Sequence, residues 1–390
     1  MKRTYIKELK NKKGEKVKIA GWVDVRRDHG KIIFIDLRDM SGKVQMVALP
    51  NHKEAHEAAG KVRSEWVLEI IGQVNQRPEK MINKDEELGE VELEITEIKV
   101  LNEAATPVFE ISNNGREVNE ETRLAHRYLD LRRNRLQKNL RMRHEVIRFF
   151  ENYLSDKNFT EIETPLLTKS TPEGARDFVV PSRLYNGKFY ALPQSPQQYK
   201  QLLMAAGMEK YFQIAKCLRD EDTRGDRQPE FTQLDLEMSF VEQKDVMNLV
   251  EEMLIKMIKK LYPQKKIQQI PFPVLTHKEA MEKYNSDKPD LRKDKNNSNL
   301  LAFCWVIDFP FFEKDKNGGW TFIHNPFSAP KSEHMEMLMK KENIGEILTT
   351  QYDIALNGFE AGGGSVRNHK TEALEKVFEI MCFEKEKIWK

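Results

Sequence analysis

The first hundred residues alternate between apolar and polar side chains, a pattern typical of strands that are buried on one face. Apolar residues recur at every second position from Val17 to Val25, and again after the turn signals Asp28-His29-Gly30 and Ser41-Gly42. The pattern predicts three further elements: a helix over His52–Lys61 and strands near Glu65–Val74 and Val91–Leu101. This part of the chain is therefore predicted to contain five short strands and one helix.

Five short strands with a helix after the third are typical of a small Greek-key barrel of the OB type. On the second and third strands, the alternation places Phe34 and Gln45 on the face away from the aliphatic core. An outward aromatic ring beside polar and basic side chains is what nucleic-acid bases stack on. A half-buried aromatic residue at the barrel edge fits the same pattern equally well.

A linker separates this barrel from the rest of the chain. Residues 102–120 contain proline, asparagine and glycine, and an arginine-rich stretch follows them. An amphipathic helix comes next, with an apolar stripe formed by Leu136, Leu140, Ile147, Phe150 and Leu154. Farther along, strands alternate with loops, and Gln243–Leu261 is predicted to be a helix. The predicted boundaries are 1–104 for the barrel, 105–135 for a hinge and 136–390 for a second domain.

The total charge is close to balanced, but its distribution is uneven. The chain has 64 Lys and Arg against 62 Asp and Glu, whereas residues 1–50 hold 13 basic against 6 acidic side chains. Residues 121–148 hold 9 basic against 3 acidic. Such blocks suit a polyanion surface, or they are merely solvated faces. Three separate cysteines without a CxxC pair exclude a disulfide framework or zinc site, and no apolar run is long enough to span a membrane. We therefore expect a soluble, cytoplasmic protein.

The segment Phe231–Phe240 contains the strongest chemical signal. Its alternation directs Gln233, Asp235 and Glu237 to one face of a strand. Three polar groups are costly to bury, so this face is expected to line a site or to meet solvent. A charged loop lies just upstream, and its arginines would suit a polyphosphate.

Three other clusters carry polar groups in patterns that suggest a site. One is the loop Ser170–Asp177, and another is Gln194–Lys200, in which Ser195 could cap a helix that contains Lys200. The third includes Asp353 and Glu360, whose carboxylates suit Mg²⁺. On one regular strand these two residues would point to opposite faces, so a bulge near Gly358 would be needed. Each cluster taken alone is better explained by solvated carboxylates and ordinary loops, but four such clusters in one chain favour a site.

Together these segments resemble the class II aminoacyl-tRNA synthetases, specifically the bacterial-type aspartyl-tRNA synthetases. The resemblance runs nearly end to end. Phe159–Leu167 looks like motif 1 and Leu218–Asp235 like motif 2, and the runs EGARDF, QSPQQYKQ and NGFEAGGGSVR are highly specific to the family. It implies an α+β protein: an N-terminal OB-fold barrel that binds the anticodon, and a catalytic domain with an antiparallel β-sheet flanked by helices.

The resemblance also implies an activity. The protein would activate L-aspartate with ATP and transfer it to the 3′ end of tRNA(Asp), working as a homodimer with Mg²⁺. His29, in the turn after two arginines, resembles the histidine of members that also charge tRNA(Asn). Arg219 would be the catalytic residue, because it would face the reacting phosphorus.

The family's binding residues map onto this chain as follows. The aspartate-binding residues would be Glu173, Ser195, Gln197, Lys200, Arg219, Asp235, His324 and Arg367. Lys200 and Arg367 would clamp the side-chain carboxylate, and Asp235 would hold the ammonium group. The ATP-binding residues would be Arg219, Asp220, Glu221, Gln228 and Glu360, and the metal ligands would be Asp353 and Glu360. The tRNA-binding residues would be Arg26, Arg27, His29, Phe34, Gln45 and Glu92.

The chain departs from the family pattern in three ways. Motif 3 and its arginine do not occur before residue 390, so we expect a catalytically crippled chain whose natural form continues further. The domain that bacterial members insert is missing, since only Lys293–Asn299 stands in its place. Leu218 and Asn158 replace an aromatic residue of motif 2 and a glycine of motif 1.

Other functions fit parts of the sequence. Asparagine and lysine ligases are the nearest, but a lysine site would need carboxylates where Lys200 and Arg367 stand, and an asparagine site has no use for two cations. A non-catalytic tRNA- or RNA-binding paralogue would explain the missing motif 3. An adenylating amide synthetase would not need the barrel.

Overall fold

The N-terminal strands close into a five-stranded barrel with the strand order β1-β2-β3-β5-β4. Its elements are β1 Lys16–Asp28, β2 Ile33–Asp39, β3 Gly42–Ala48, α1 Lys53–Lys61, β4 Val67–Gln76 and β5 Val91–Asn102. Alternate side chains such as Ile33, Ile35 and Leu37 are buried in one core inside the barrel. The parallel pair of β3 and β5 closes the barrel. The predicted five strands with a helix after the third are confirmed.

The computed structural model describes residues 1–171, 174–223 and 227–382. It divides into two compact units, Met1–Arg143 and His144–Lys390. The domain boundaries proposed from the sequence stay a prediction. Among the described helices, none combines the length and the apolar character that a membrane crossing requires.

Three helices follow the barrel: α2 Glu120–Ala125, α3 Arg127–Asp130 and α4 Asn134–Asp156. Asp130 is fully buried, and its carboxylate accepts a hydrogen bond from Arg133 Nε at 2.8 Å. The predicted apolar stripe of α4 is right at Leu136 and Leu154, which are buried. It is wrong at Leu140, which is 50% exposed because the whole turn from residue 138 to 141 faces solvent.

The second unit mixes short strands with helices. Up to α6 its elements are β6 Thr160–Glu161, β7 Val179–Pro181, β8 Phe189–Ala191, α5 Gln197–Ala205, β9 Lys210–Leu218, β10 Glu230–Met238 and α6 Gln243–Leu261. The next are β11 Lys266–Ile267, β12 Val274–Thr276, α7 His277–Tyr284, β13 Leu300–Leu301, β14 Phe303–Ile307, β15 Phe312–Lys314 and β16 Trp320–Phe322. The last are α8 Met335–Lys340, β17 Tyr352–Leu356, β18 Phe359–Gly364 and α9 Thr371–Ile380.

Two sheets of this unit position the site, with the strand orders β10-β9-β6 and β12-β14-β17-β18. Most of their pairs are antiparallel, as the resemblance implied, but β6 with β9 and β12 with β14 are parallel. The antiparallel sheet expected from the sequence is thus divided in two among the described residues.

Helix α6 has the bounds predicted from the sequence. A capping box of Glu242 and Asp245 starts it by satisfying backbone N–H groups that the first turn leaves free. Met253 packs against the sheet of β9 and β10, whereas Ile258 packs against the sheet of β14 and β17. Its Glu251 also accepts a hydrogen bond from Trp305 Nε1 at 3.0 Å. This helix therefore supports both sheets beside the site.

Candidate active site

Strand β10 presents the polar face that the alternation predicted. Antiparallel pairing with β9 places Gln213 opposite Asp235 and Tyr211 opposite Glu237, and directly paired residues point to the same face of a sheet. Tyr211 donates a hydrogen bond to Gln213 Oε1 at 2.8 Å. Leu234 and its apolar neighbours pack on the other side, against the core under α4 and α6.

Lys200 reaches this polar face from α5. Its Nζ lies 2.7 Å from Asp235 Oδ1 and 3.3 Å from Glu237 Oε2. Lys200 is only 5% exposed and Asp235 only 3%. Charges buried to this degree are tolerated only when they are paired, so the lysine and the two carboxylates form one ion-pair network.

Arg367, just after β18, completes this group from the other sheet. Its Nε and Nη2 atoms each donate to a different carboxylate oxygen of Glu237 at 3.1 Å, and Nη1 donates to Ser365 Oγ at 3.1 Å. Burial tends to raise the pKa of Glu237, but the charges of Lys200 and Arg367 outweigh it and hold that pKa below its ordinary value. Two cations and two anions thus form a buried cluster without net charge.

In the described part of the chain, two buried polar atoms, one on β10 and one on α5, have no hydrogen-bond partner. Asp235 Oδ2 and Gln197 Nε2 are both buried, and neither has a hydrogen-bond partner among the described residues. A buried acceptor or donor without a partner is destabilising by about 1–3 kcal/mol. A ligand that offers a positive donor to the carboxylate and an acceptor to the amide would relieve this cost.

Arg219 directly follows β9. Its guanidinium group stacks 5.1 Å from the centre of the Phe231 ring, and Nε donates to the main-chain oxygen of Gln194 at 3.4 Å. In the described part of the chain, neither terminal nitrogen of Arg219 has a hydrogen bond. The arginine is therefore oriented and still open to an anion. Asp220, Glu221 and Gln228 are exposed on the loop between β9 and β10.

Asp353 and Glu360 lie on two strands of a hairpin rather than on one strand. Asn357 and Gly358, both with positive φ, form the turn. The register of the hairpin shifts next to Ala355, which pairs directly with Glu360. Asp353 and Ala355 are two residues apart on one strand, so Asp353 and Glu360 share a face. The bulge expected near Gly358 is therefore beside Ala355, and Gly358 makes the turn.

The environments of these two carboxylates differ. Asp353 is 8% exposed, and its burial, with the nearby charges of Glu360 and Asp287, raises its pKa to about 7 against the opposing hydrogen bond from Gln351. Glu360 is more open and pairs with Arg227 Nη2 at 3.1 Å. No three His, Cys, Asp or Glu side chains among the described residues form a ready metal site.

The glycines after Glu360 permit close contacts. A Cβ atom on Gly363 would lie 2.2 Å from Asp353 Oδ1, and one on Gly364 would lie 2.6 Å from the hydroxyl of Tyr352. Real Cβ atoms do not approach other atoms so closely. The packing of β18 against β17 thus explains the glycines at positions 363 and 364.

The remaining residues predicted for the aspartate site have different positions. Ser195 Oγ accepts a hydrogen bond from Gln197 N at 3.3 Å, but Pro196 is the N-cap of α5, so the predicted cap is wrong by one residue. His324 is exposed in the loop after β16, with its ring edge-to-face against Phe309 at 4.8 Å. Glu173 lies outside the described residues.

On the barrel, Phe34 and Gln45 are half-buried and outside the apolar core, as the alternation predicted. Arg27 donates to Asp36 Oδ1 at 2.9 Å and to Gln45 Oε1 at 3.2 Å, and Gln45 Nε2 donates to Glu92 Oε2 at 3.4 Å. These side chains form one polar row across four strands, β1, β2, β3 and β5.

The other predicted tRNA residues of the barrel flank this row. The ring of Phe34 packs edge-to-face against His29, with centroids 5.7 Å apart. Arg26 instead donates to the main-chain oxygen of Gly60, in α1, at 3.0 Å. Five of the six residues predicted to bind tRNA therefore lie close together, whereas Arg26 contacts α1.

The sequence pattern gave no specific role to Glu237 or Gln194, although both contact the predicted site. It placed Arg227 in a loop whose arginines would suit a polyphosphate, but it did not predict that Arg227 pairs with Glu360. The alternation had already placed Glu237 on the polar face, and this signal could have identified it. Arg227 and its partner Glu360 are 133 positions apart, and no local pattern reports such a contact.

Comparisons with known proteins assign both units. The family described as tRNA synthetases class II (D, K and N) matches residues 119–390. The OB-fold nucleic acid binding domain matches residues 17–101. These two matches fit the barrel and the two-sheet unit.

Curated relatives match over nearly the whole chain. An aspartate–tRNA(Asp/Asn) ligase of Natranaerobius thermophilus is 40% identical over 98% of this chain and 86% of its own length. An aspartate–tRNA ligase of Staphylococcus aureus is 38% identical over 96% of this chain and 84% of its own length. The first alignment spans 509 positions, more than the 390 residues of this chain. That relative therefore has residues inside the aligned region that this chain lacks, as expected for a chain without the inserted domain.

Solved structures share the fold. The aspartyl-tRNA synthetase of Entamoeba histolytica has a TM-score of 0.75 at 23% identity, and covers 100% of this chain and 83% of its own. The asparaginyl-tRNA synthetase of Pyrococcus horikoshii, complexed with asparaginyl-adenylate, has a TM-score of 0.73 at 22% identity, and covers 100% of this chain and 89% of its own. Taken with the curated relatives, these matches establish that the chain belongs to the aspartate–tRNA ligase family of the class II tRNA synthetases.

Proposed function

We propose that this chain activates L-aspartate with ATP and transfers it to the 3′ end of tRNA(Asp). The observation that carries the proposal is the buried cluster of Lys200, Asp235, Glu237 and Arg367, in which Oδ2 of Asp235 has no hydrogen-bond partner among the described residues. Aspartate has an ammonium group and a side-chain carboxylate. Both charges therefore find a complement at this cluster.

The substrate would be recognised through these charges. Lys200 and Arg367 meet the side-chain carboxylate, while Asp235 accepts from the ammonium group with help from Ser195 and Gln197. Glu237 does not touch the substrate; it holds both cations in place. Glu173 and His324 keep their sequence-based assignment to the same pocket as a proposal.

The reaction needs no protein nucleophile. The α-carboxylate of aspartate attacks the α-phosphorus of ATP, forms aspartyl-adenylate and expels pyrophosphate. A hydroxyl of the terminal tRNA ribose then attacks the acyl carbon and releases AMP. Arg219 faces the phosphorus and stabilises the developing negative charge, and positioning supplies the rest of the catalysis. Asp220, Glu221 and Gln228 contact ATP from the loop after β9.

Asp353 and Glu360 would hold Mg²⁺. They share a face of the hairpin, and Asp287 lines the same pocket, so the donors are the oxygen ligands that this cation prefers. Since no complete three-residue site is formed among the described residues, phosphate and water oxygens would supply the other ligands. The ion would neutralise charge on the phosphates of ATP.

The barrel would bind the anticodon. Phe34 stacks on a base, Gln45 and Glu92 contact base edges, and Arg26 and Arg27 contact the backbone. The polar row that links Arg27, Gln45 and Glu92 supports this assignment, because the groups that would read the bases already lie side by side.

His29 extends the proposal to tRNA(Asn). It lies against Phe34, so it is placed to affect how a base stacks there, and the relative from Natranaerobius thermophilus carries both tRNAs in its name. Aspartylation of both tRNAs is expected. Full charging of tRNA(Asp) without any charging of tRNA(Asn) would overturn this extension.

A homodimer is also proposed. The hairpin of β7 and β8 exposes several large apolar side chains: Val179, Leu184, Tyr185, Phe189 and Tyr190. Such a patch is typical of a protein interface. Light scattering should give twice the mass of the chain, and a monomer at micromolar concentration would contradict the proposal. A cytoplasmic location, expected from the sequence, stays a prediction.

The activity is tested by aspartate-dependent ATP–pyrophosphate exchange, on this chain and on one extended with the downstream codons of its gene. Exchange with L-aspartate, and not with L-asparagine or L-lysine, is expected from at least one of the two chains. If neither chain exchanges while the folded protein still binds tRNA, the non-catalytic tRNA-binding function replaces the ligase.

A further inference from the structure

Gln194, the residue before Ser195, is almost completely buried, with 1% of its surface exposed. Its amide makes three hydrogen bonds to one short segment. Nε2 donates to the main-chain oxygen of Ala175 at 2.9 Å and to Asp177 Oδ1 at 2.5 Å, while Oε1 accepts from Ala175 N at 3.0 Å. The amide therefore fixes the described segment Gly174–Asp177 against the start of α5.

The main chain at Gln194 also contacts the catalytic arginine. Its carbonyl oxygen accepts a hydrogen bond from Arg219 Nε at 3.4 Å, and the preceding Pro193 oxygen accepts one from Leu218 N at 2.9 Å. The guanidinium group also stacks over Phe231, so two contacts fix the orientation of the arginine. A shift of the Gln194 carbonyl would break one of these two contacts.

A second connection runs through Arg176. Its main-chain oxygen accepts from Asp220 N at 3.0 Å, and its Nε donates to the main-chain oxygen of Asp220 at 3.2 Å. The segment Gly174–Asp177 is thus joined to the end of β9 both directly and through Gln194. Gln194 thus adjoins two proposed ligand sites. The residues of the proposed amino-acid pocket follow it in the chain, and the arginine proposed to bind ATP contacts its carbonyl oxygen.

We propose that Gln194 is a positioning residue that couples the aspartate pocket to Arg219. This inference rests on the proposed function, because it assigns aspartate to Ser195, Gln197 and Lys200, and the α-phosphate to Arg219. Bound aspartate fixes the first turn of α5 and, with it, the position of Gln194. Arg219 then keeps the orientation in which it can contact the phosphate. Gln194 itself touches neither substrate.

Coupling of this kind is measurable, because each ligand must then strengthen the binding of the other by the same factor. Calorimetry with α,β-methylene-ATP and Mg²⁺, with and without saturating L-aspartate, gives that factor without turnover. In the unaltered protein, aspartate should tighten nucleotide binding about 5-fold or more. In Gln194→Met, which keeps the volume and removes the three bonds, the factor should fall close to one while aspartate alone still binds.

Two further variants make the experiment decisive. Asp177→Ala removes one partner of the Gln194 amide from a half-buried position, and it should reduce the factor even if Gln194→Met does not fold. Gln198→Ala changes an exposed glutamine of the same helix, and it should keep the full factor.

The outcomes separate the two proposals. An unchanged factor in folded Gln194→Met and Asp177→Ala, or a factor of one in the unaltered protein, overturns the role of Gln194 and leaves aspartate activation intact. If the unaltered protein binds nucleotide but no aspartate, the proposed function fails, and the coupling fails with it.

Discussion

At the scale of single residues, the site depends on how four buried charges are paired. Alternation on β10 predicted that Asp235 and Glu237 share a face, and the resemblance suggested that Lys200 and Arg367 meet the same substrate. Neither could predict that Glu237 binds both cations, because Arg367 is 130 positions away. Contacts between distant residues depend on the fold of the whole unit, which no local pattern contains.

Removing the charge of Lys200 should disable the aspartate pocket. In Lys200→Met, the substrate carboxylate loses one cation and Asp235 keeps an uncompensated buried charge. We expect aspartate binding to weaken on the order of 100-fold and the free energy of unfolding to fall by about 3–5 kcal/mol. Calorimetry and urea unfolding measure both effects. Lys244→Met, on the exposed face of α6, is the control, and unchanged aspartate affinity in folded Lys200→Met would contradict the assignment.

Asp353 should make the stability depend on pH in an unusual direction. Its pKa is about 7 in the folded chain against 3.8 for an ordinary aspartate, so between these values the folded state holds a proton that the unfolded state has released. The contribution of Asp353 to the free energy of unfolding is therefore most favourable below a pH of 3.8 and is lost as the pH rises through about 7.

Asp353→Asn, which cannot ionise, tests this direction. In metal-free buffer it should melt at a higher temperature than the unaltered protein at about pH 8, with a smaller difference at about pH 5. Differential scanning calorimetry measures both midpoints. A difference that does not change with pH would show that Asp353 is not held with a raised pKa.

At the scale of elements, the periodic patterns predicted most of the fold. They predicted the barrel strands, the helix after the third strand and both ends of α6, because each of these elements buries a regular stripe of apolar residues. They could not predict that the second unit has two sheets, or that a hairpin turn separates Asp353 from Glu360. The runs around β17 and β18 are short and rich in glycine, and so they contain little periodic signal.

The hairpin gives a matched pair of substitutions. Gly363→Ala would place a Cβ atom 2.2 Å from Asp353 Oδ1, whereas Gly362→Ala would meet Ile354 Cγ2 at an ordinary 3.8 Å. We expect the first to lower the free energy of unfolding by about 1–3 kcal/mol and to weaken the Mg²⁺-dependent binding of α,β-methylene-ATP. The second should change neither quantity. Equal effects from both substitutions would exclude close packing as the reason for the glycine.

The outer face of the barrel gives a separate prediction. Phe34→Ala should weaken tRNA(Asp) binding by about 5- to 150-fold, since one stacked base contributes about 1–3 kcal/mol. Aspartate affinity should not change. Filter binding and calorimetry measure the two quantities, and Tyr5→Ala, at an exposed aromatic residue of the same unit, is the control. Unchanged tRNA affinity in Phe34→Ala would leave Phe34 as a half-buried edge residue.

At the scale of the whole molecule, charge totals alone are a poor guide to binding. The basic excess in residues 1–50 suggested a polyanion surface, but several of its lysines are paired with carboxylates that come later in the chain. Lys10 and Lys13 both contact Glu90, and Lys16 contacts Glu97. Much of that block is therefore neutralised at the surface, where single ion pairs contribute little to stability. Shape and specific side chains, such as the row beside Phe34, give the stronger argument for nucleic acid.

If the buried cluster selects a carboxylate side chain, titration of the folded chain with L-aspartate and with L-asparagine will separate the two amino acids. Lys200 and Arg367 can donate to both oxygens of the aspartate side chain, whereas the amide NH2 of asparagine would place a donor against these two donors. We therefore expect L-aspartate to bind at least about 100-fold more tightly than L-asparagine. Equal affinity for the two, or tighter binding of L-asparagine, would contradict the account.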